Sequence, residues 1–406
     1  MSNSFRTTGI VVRGAASVVL ANLMLKAAND SCPARSVALD EKFSFNRAAF
    51  REQPLKLMQR HQGHPRFGSE EEIVGKVLDF CLPRFSPPTV GLAIHEAALW
   101  QLGGVDVELP EDCRVKYSGH IVDELLDQRI TRSGFTGGGE SQLIEPSSYG
   151  LHVNLAYFDL DAEKPTEFHF GQFLMAMGIA GVPTSRSVVG LHRAGTLLDV
   201  LHDLQMNFSF DHELEFAAIA LAHYLPPQSS WSSQYNDEYC FDSLMARLVE
   251  VSCGQGACHG VHVPIAVSVL LAADRQYDVL CNKAEALGHQ YLRNVSLLLQ
   301  RNEHSSRGWT DWEGTSECQF PGSVSHLEHL TVTGHHLEWI SISDPRDCPN
   351  RQIIERAIKS LQGDIEALTA TIARSFKPQL PATHAARALL ILSGNNDPFS
   401  CVSNLN

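Results

Sequence analysis

The strongest constraint on this chain is a set of segments that are apolar on every face. Ala217–Leu225 (AAIALAHYL) and Ile265–Ala273 (IAVSVLLAA) are examples. A helix apolar all round cannot sit at a surface, so other helices must surround it. From about residue 166 onward the pattern predicts helix after helix. They are expected near 168–180, 192–206, 211–224, 241–252, 263–274, 281–300, 324–341, 351–374 and 383–393. Asp211 suits an N-cap, and Pro264 suits a first turn, where its missing N–H would be an orphan anyway. Short connections favour antiparallel neighbours. Little after residue 165 reads as a strand. The class is therefore all-α. Many buried helices in antiparallel pairs suit a double ring whose inner layer lines a cavity. A solenoid, the alternative, shows cleaner repeats.

Up to about residue 165 the text is less regular, broken by PRFSPP at 83–88 and SGFTGGG at 133–139. It still predicts helices over 70–81, opened by a Ser69/Glu72 capping box, and over 91–102 and 120–130. Residues 151–160 read as a strand or extended segment. The expected organisation is an N-terminal segment 1–30, an irregular helical part 31–165, a helical core 166–395 and a tail 396–406. The run Gly14–Leu25, preceded by Arg6 and Arg13, has the parts of an export signal. It equally suits a core helix, and Lys26 in the cleavage zone tilts the reading toward a cytoplasmic chain.

The 406 residues include 46 acids against 32 Lys and Arg, a net charge of −14. That argues against nucleic acid and anionic membranes as partners. No run of 18 apolar residues predicts a spanning helix. The ten cysteines are irregularly spaced and form no CxxC, unlike a disulfide scaffold or a zinc ribbon. No GxxxxGK[ST] or GxSxG occurs, which disfavours nucleotide binding and serine hydrolysis.

Three local features resemble the α/α-toroid superfamily of terpenoid cyclases, prenyltransferase β-subunits and lanthionine cyclases. Tyr291-Leu292 leads to Gln300 and then Gly308-Trp309, similar to a stretched aromatic–Gln–Gly–Trp repeat. Cys258-His259-Gly260 resembles the Cys-His-Gly zinc motif of lanthionine cyclases. Thr333–Trp339 (TGHHLEW) resembles the TGHxLEW segment of bacterial toroid proteins of unassigned activity. The resemblance implies a toroid over the core and a central cavity. The cyclases' DxDD and DCTAE acids are missing, as is the Trp-Cys-x-Gly partner motif, so it implies no particular reaction.

Several constellations could work in such a cavity. Cys258 and His262 stand four apart beside a Gly-rich turn, and His335 or His336 could join them. Thiolate and imidazole are zinc ligands, so Cys258, His262 and His335 are the expected metal set. The plainer reading is a turn with a buried thiol and hydrogen-bonded imidazoles. His335, Glu338 and Trp339 share a helical stripe, giving an acid–base pair and a stacking platform, or a core Trp beside a Glu–His pair. Trp309, Asp311 and Trp312 form an aromatic–acid group that suits a small-molecule, terpenoid or glycan-like substrate, or ordinary packing. Glu215 is expected to face inward from its helix, with Glu213 at the helix start. His326 and His329 read as a solvated face, and His169 as a core histidine. The leading expectation is an enzyme with a central site: a lyase, transferase or hydrolase that uses zinc, or one that uses His335 and Glu338 without metal. The rival is a non-catalytic helical binding or scaffold protein. Fold alone does not separate them.

Overall fold

A computed structural model describes residues 49–67, 70–81, 90–102, 104, 121–129, 143–154, 169–227, 229–251, 260–301, 309, 325–372, 379–395 and 398–401. The chain divides into units 1–45 and 46–406, and all described residues belong to the second. They form twelve α-helices: α1 (Glu70–Cys81), α2 (Val90–Trp100), α3 (Ile121–Leu126), α4 (Gln172–Ile179), α5 (Leu197–Asn207), α6 (Glu215–Tyr224), α7 (Phe241–Leu248), α8 (His262–Tyr277), α9 (Asn282–Arg301), α10 (His326–Ile342), α11 (Arg351–Ile372) and α12 (Gln379–Ser393). The chain is mostly helical, as the sequence predicts. Among the described residues, no helix is long and apolar enough to cross a membrane.

Three short antiparallel hairpins accompany the helices: β1 (Ile144–Pro146) with β2 (Leu151–Val153), β3 (Ser187–Val189) with β4 (Ala194–Thr196), and β5 (Ser230–Ser232) with β6 (Glu238–Cys240). The last two are the described strands beyond residue 165, twelve residues in all, in keeping with the expectation that little there is strand. Strands of three residues are too short to show alternation. The helix expected at 211 begins at Glu215 instead, with Leu214 at its N-cap. Ser209 explains the delay, because its Oγ and its carbonyl accept from the Asp211 and His212 amides and hold a turn there.

The helices fall into two kinds. Every residue of α2, α4 and α6 is buried. So are His262–Ala273 of α8, most of α10, and Ala382–Leu392 of α12. Of the odd-numbered helices after α4, α7 and α9 bury one stripe, whereas α5 buries Val200–Met206 without a break. α7 buries Phe241, Leu244, Met245 and Leu248, and α9 buries Ala284, Gly288, Leu292, Val295, Ser296 and Leu299. The even helices pack on one another in order: α2 on α4, α4 on α6, α6 on α8, α8 on α10, α10 on α12, and α12 again on α2. Odd helices pack against several of them, α3 on α2, α9 on α8 and α11 on α10. All-round burial of α2, α8, α10 and α12 follows, since each has two even neighbours and at least one odd helix packed on it: α3 on α2, α7 and α9 on α8, α11 on α10 and α1 on α12.

Residues 49–67 run across the C-terminal ends of these helices. The Arg51 and Leu55 amides donate to the Tyr224 and His223 carbonyls of α6 (2.7 and 2.8 Å). The Thr184 amide, beyond α4, donates to the Glu52 carbonyl. The His61 amide meets the Ser341 carbonyl of α10, and the Arg60 guanidinium donates to the Leu392 carbonyl of α12 (3.2 Å). The carbonyls of Tyr224, His223, Ser341 and Leu392 lie in last turns, where the helix supplies no partner.

Candidate metal centre

Five imidazoles crowd one interior space, and each comes from a different part of the chain. His95 lies in α2, His169 just before α4, His262 at the first residue of α8, His335 midway along α10, and His384 in α12. The ligand atoms of His262, His335 and His384 all lie within 4.8 Å of one another. Their Nε2 atoms make the tightest approach, 3.1 Å between His262 and His335. The rings of His335 and His384 stack with centroids 3.7 Å apart, and His95 stands edge-on to His384 at 5.1 Å. His169 stacks on Phe216, whose ring meets His262 at 4.5 Å.

Hydrogen bonds fix which nitrogens carry lone pairs. His335 Nδ1–H donates to the Thr331 carbonyl (2.6 Å), so its Nε2 is the lone-pair nitrogen of the neutral ring. His384 Nδ1 lies 2.6 Å from Glu338 Oε2, and its Nε2 has no hydrogen-bond partner among the described residues. His95 Nδ1–H donates to the Gly91 carbonyl (2.8 Å) and His169 Nδ1–H to Glu213 (2.6 Å). Burial drives the charged forms out. It lowers the pKa of His95 to about 4 and of His335 to about 3, and the pKa values of His262 and His384 fall well below the ordinary value. Desolvation is the largest cause in each, and for His262 and His384 the second is His335, whose ring cannot share a charge with theirs at this distance. At neutral pH these rings are uncharged, the state in which imidazole binds metal.

Glu338 lies beside the three. Its Oε1 accepts from Arg387 Nε and Nη2 (2.8 and 2.7 Å), and all three side chains, His384 included, are buried. Burial raises the Glu338 pKa, and Arg387 opposes that by charge and hydrogen bond. α10 and α12 reach this closeness because residue 334 is glycine. A Cβ there would lie 3.0 Å from the Ala385 amide nitrogen and 3.1 Å from its Cβ.

The sequence's own candidates distribute as follows. His262 and His335 come together, and Glu338 joins them through His384. Trp339 instead turns to His336, donating from Nε1 to its Nδ1 (3.2 Å), and Trp309 packs edge-on to the same ring at 5.6 Å. These two tryptophans therefore form an aromatic group around His336 rather than a wall beside the three histidines. Glu215 is buried, while Glu213 is partly exposed and holds His169. Cys258, Asp311 and Trp312 lie outside the described residues, as does Ser69 of the expected capping box. His329 is buried against Asp364, which also holds the more exposed His326. That corrects the expectation of a solvated face for His329, which Asp364 of α11 covers, while His326 is exposed as expected. Sequence reasoning missed His384 and His95. The available signal was polarity in an apolar helix: His384 and Arg387 stand one turn apart in PATHAARALLILS, and His95-Glu96 interrupts GLAIHEAALW.

A recess of about 630 Å³ lies elsewhere, between Gln53–Gln59 and the ends of α2, α4 and α6, and none of the five histidines lines it. No protein-family model, no curated protein and no solved structure matches this chain.

Proposed function

We propose that this chain is a metal-dependent enzyme of the α/α-toroid type, with zinc held by His262, His335 and His384 at the centre. The returning order of the buried even helices supports the toroid reading. The observation that carries the metal reading is the meeting of three neutral imidazoles from three helices. Two nitrogens about 2.0–2.1 Å from a tetrahedral zinc stand roughly 3.3 Å apart. The His262–His335 separation of 3.1 Å is close to that edge, and a ligand atom of His384 lies within 4.8 Å of both. Three neutral imidazoles favour zinc-like ions over magnesium or calcium, which prefer oxygen donors. Three protein ligands leave a fourth position, the pattern of catalytic sites. Cys258, four residues before His262, is the sequence's candidate for that position if the site is closed instead.

Bound zinc supplies a Lewis acid and lowers the pKa of a coordinated water. The chain's own contribution is to hold neutral nitrogens, exclude bulk water and keep His169 with Glu213 beside the more exposed edge of the cluster. The reading suits hydrolysis, elimination or group transfer on a small-molecule, terpenoid or glycan-like substrate. The test is metal content of the purified protein after zinc loading and dialysis. One equivalent is expected, falling to below about 0.1 in His384→Ala and His335→Ala. A wild-type protein that retains no zinc, cobalt or nickel overturns the metal reading and leaves a helical binding or scaffold protein.

A further inference from the structure

We propose that Glu338 and Arg387 form a positioning pair that fixes His384 as the Nδ1–H tautomer, presenting its Nε2 lone pair to the metal. The proposal rests on the metal reading above. It differs from the sequence's expectation, in which Glu338 moves protons itself.

Both oxygens of Glu338 are already engaged. Oε2 faces His384 Nδ1 at 2.6 Å, and Oε1 takes Arg387 Nε and Nη2 at 2.8 and 2.7 Å. The carboxylate is 1% exposed, so a proton passed to it has no described way onward. What it can do is accept. An ionised carboxylate on Nδ1 holds the proton there and makes Nε2 a better ligand, as second-shell carboxylates do at zinc–histidine sites. Arg387 Nη2 also lies 2.9 Å from His384 Nδ1. It cannot donate to a nitrogen that bears a proton, and it has Glu338 Oε1 as its acceptor.

Arg387 is the necessary half of the pair. Its Nε and Nη2 occupy Oε1, which leaves Oε2 as the oxygen that accepts from His384 Nδ1–H, and they set a counter-charge against the buried carboxylate. The geometry thus links a cation one helical turn from His384 to the ligand state of that ring.

Two measurements test this. The first is ring nitrogen NMR on the zinc-free wild-type protein with labelled histidine, using His384→Gln to assign the signals. The Nδ1–H tautomer is expected at His384, and the Nε2–H tautomer overturns the proposal. The second is zinc affinity by chelator competition. In Glu338→Gln/Arg387→Met, where both charges leave together, affinity is expected to fall about 10–100-fold with the zinc-free thermal midpoint little changed. In Arg387→Lys, which keeps the charge, affinity is expected to stay within about threefold of wild type. A double variant that binds zinc as tightly as wild type overturns the proposal. If the double variant does not fold, the wild-type tautomer decides. Failure of the wild type to bind zinc sinks the metal reading, and the tautomer still decides this one.

Discussion

At the scale of single residues, the interior histidines make this protein acid-sensitive. Among the described residues, burial lowers the pKa of eight: His61, His64, His95, His223, His262, His335, His336 and His384. Two move the other way, His152 and His289, each raised first by its hydrogen bond to an aspartate. A histidine with a lowered folded pKa binds fewer protons folded than unfolded. Its stabilisation is complete above about pH 6.5 and is lost as pH falls through the folded value. His152 and His289 contribute oppositely, most at low pH, and are outnumbered. His95 and His223, both fully buried with pKa values near 4, are each worth on the order of 3 kcal/mol across that window. The thermal midpoint of the zinc-free protein is therefore expected to drop by about 10 °C or more between pH 7 and pH 5, measured by calorimetry. A midpoint flat over that range would show that these rings are protonated without cost.

At the scale of helices, the contact between α10 and α12 sets the site, and Gly334 sets the contact. Helix propensity alone predicts that Gly334→Ala stabilises α10 by about 1 kcal/mol. The added Cβ meets the backbone of Ala385 at 3.0 Å, which a rotamer change cannot relieve. Overpacking of this kind costs about 1–3 kcal/mol, so the net effect is expected to be destabilising. Zinc affinity should weaken with it, because His335 and Glu338 lie within four residues of the contact. Denaturant melts and chelator competition on one variant read both effects, and a stabilised variant with unchanged affinity would refute the argument. The same elements show what the sequence could reveal. Every described helix is legible in it, with ends off by five residues at most, because 3.6-residue periodicity and all-round apolarity are local signals. The capping box of α10, Ser325 with Glu328, is local as well. His262 and His335 were legible as candidates because rare residue types clustered around them. His384 was not, because it meets Glu338 across 46 positions of chain. A residue whose role comes from another helix shows only as a polar interruption in an apolar run. The direction of Trp339 was equally hidden, since residues 335, 338 and 339 share a stripe wide enough to face two neighbours.

At the scale of the described molecule, the even helices pack mainly on their neighbours in sequence order, α8 and α12 also meet through His262 and His384, and a further segment ties distant members together. Residues 49–67 do this, reaching α6, α10 and α12 with backbone and side-chain hydrogen bonds and burying Leu55, Leu57, Met58 and Phe67 in the common core. His64 adds a bond from its ring to the Ser343 carbonyl (3.1 Å), and His223 returns one from its Nδ1 to the Leu55 carbonyl (2.6 Å). A segment tied at so many helix ends cannot melt alone without exposing carbonyls that have no other partner. Leu57, 1% exposed, is the test position. Leu57→Ala is expected to cost about 2–5 kcal/mol, as buried leucines do when a cavity is left behind. The loss should be global: helical circular dichroism and tryptophan fluorescence should give one coincident, lowered midpoint in denaturant. If fluorescence shifts while the circular dichroism midpoint stays at the wild-type value, residues 49–67 are an appendage. The helices would then hold their order without them.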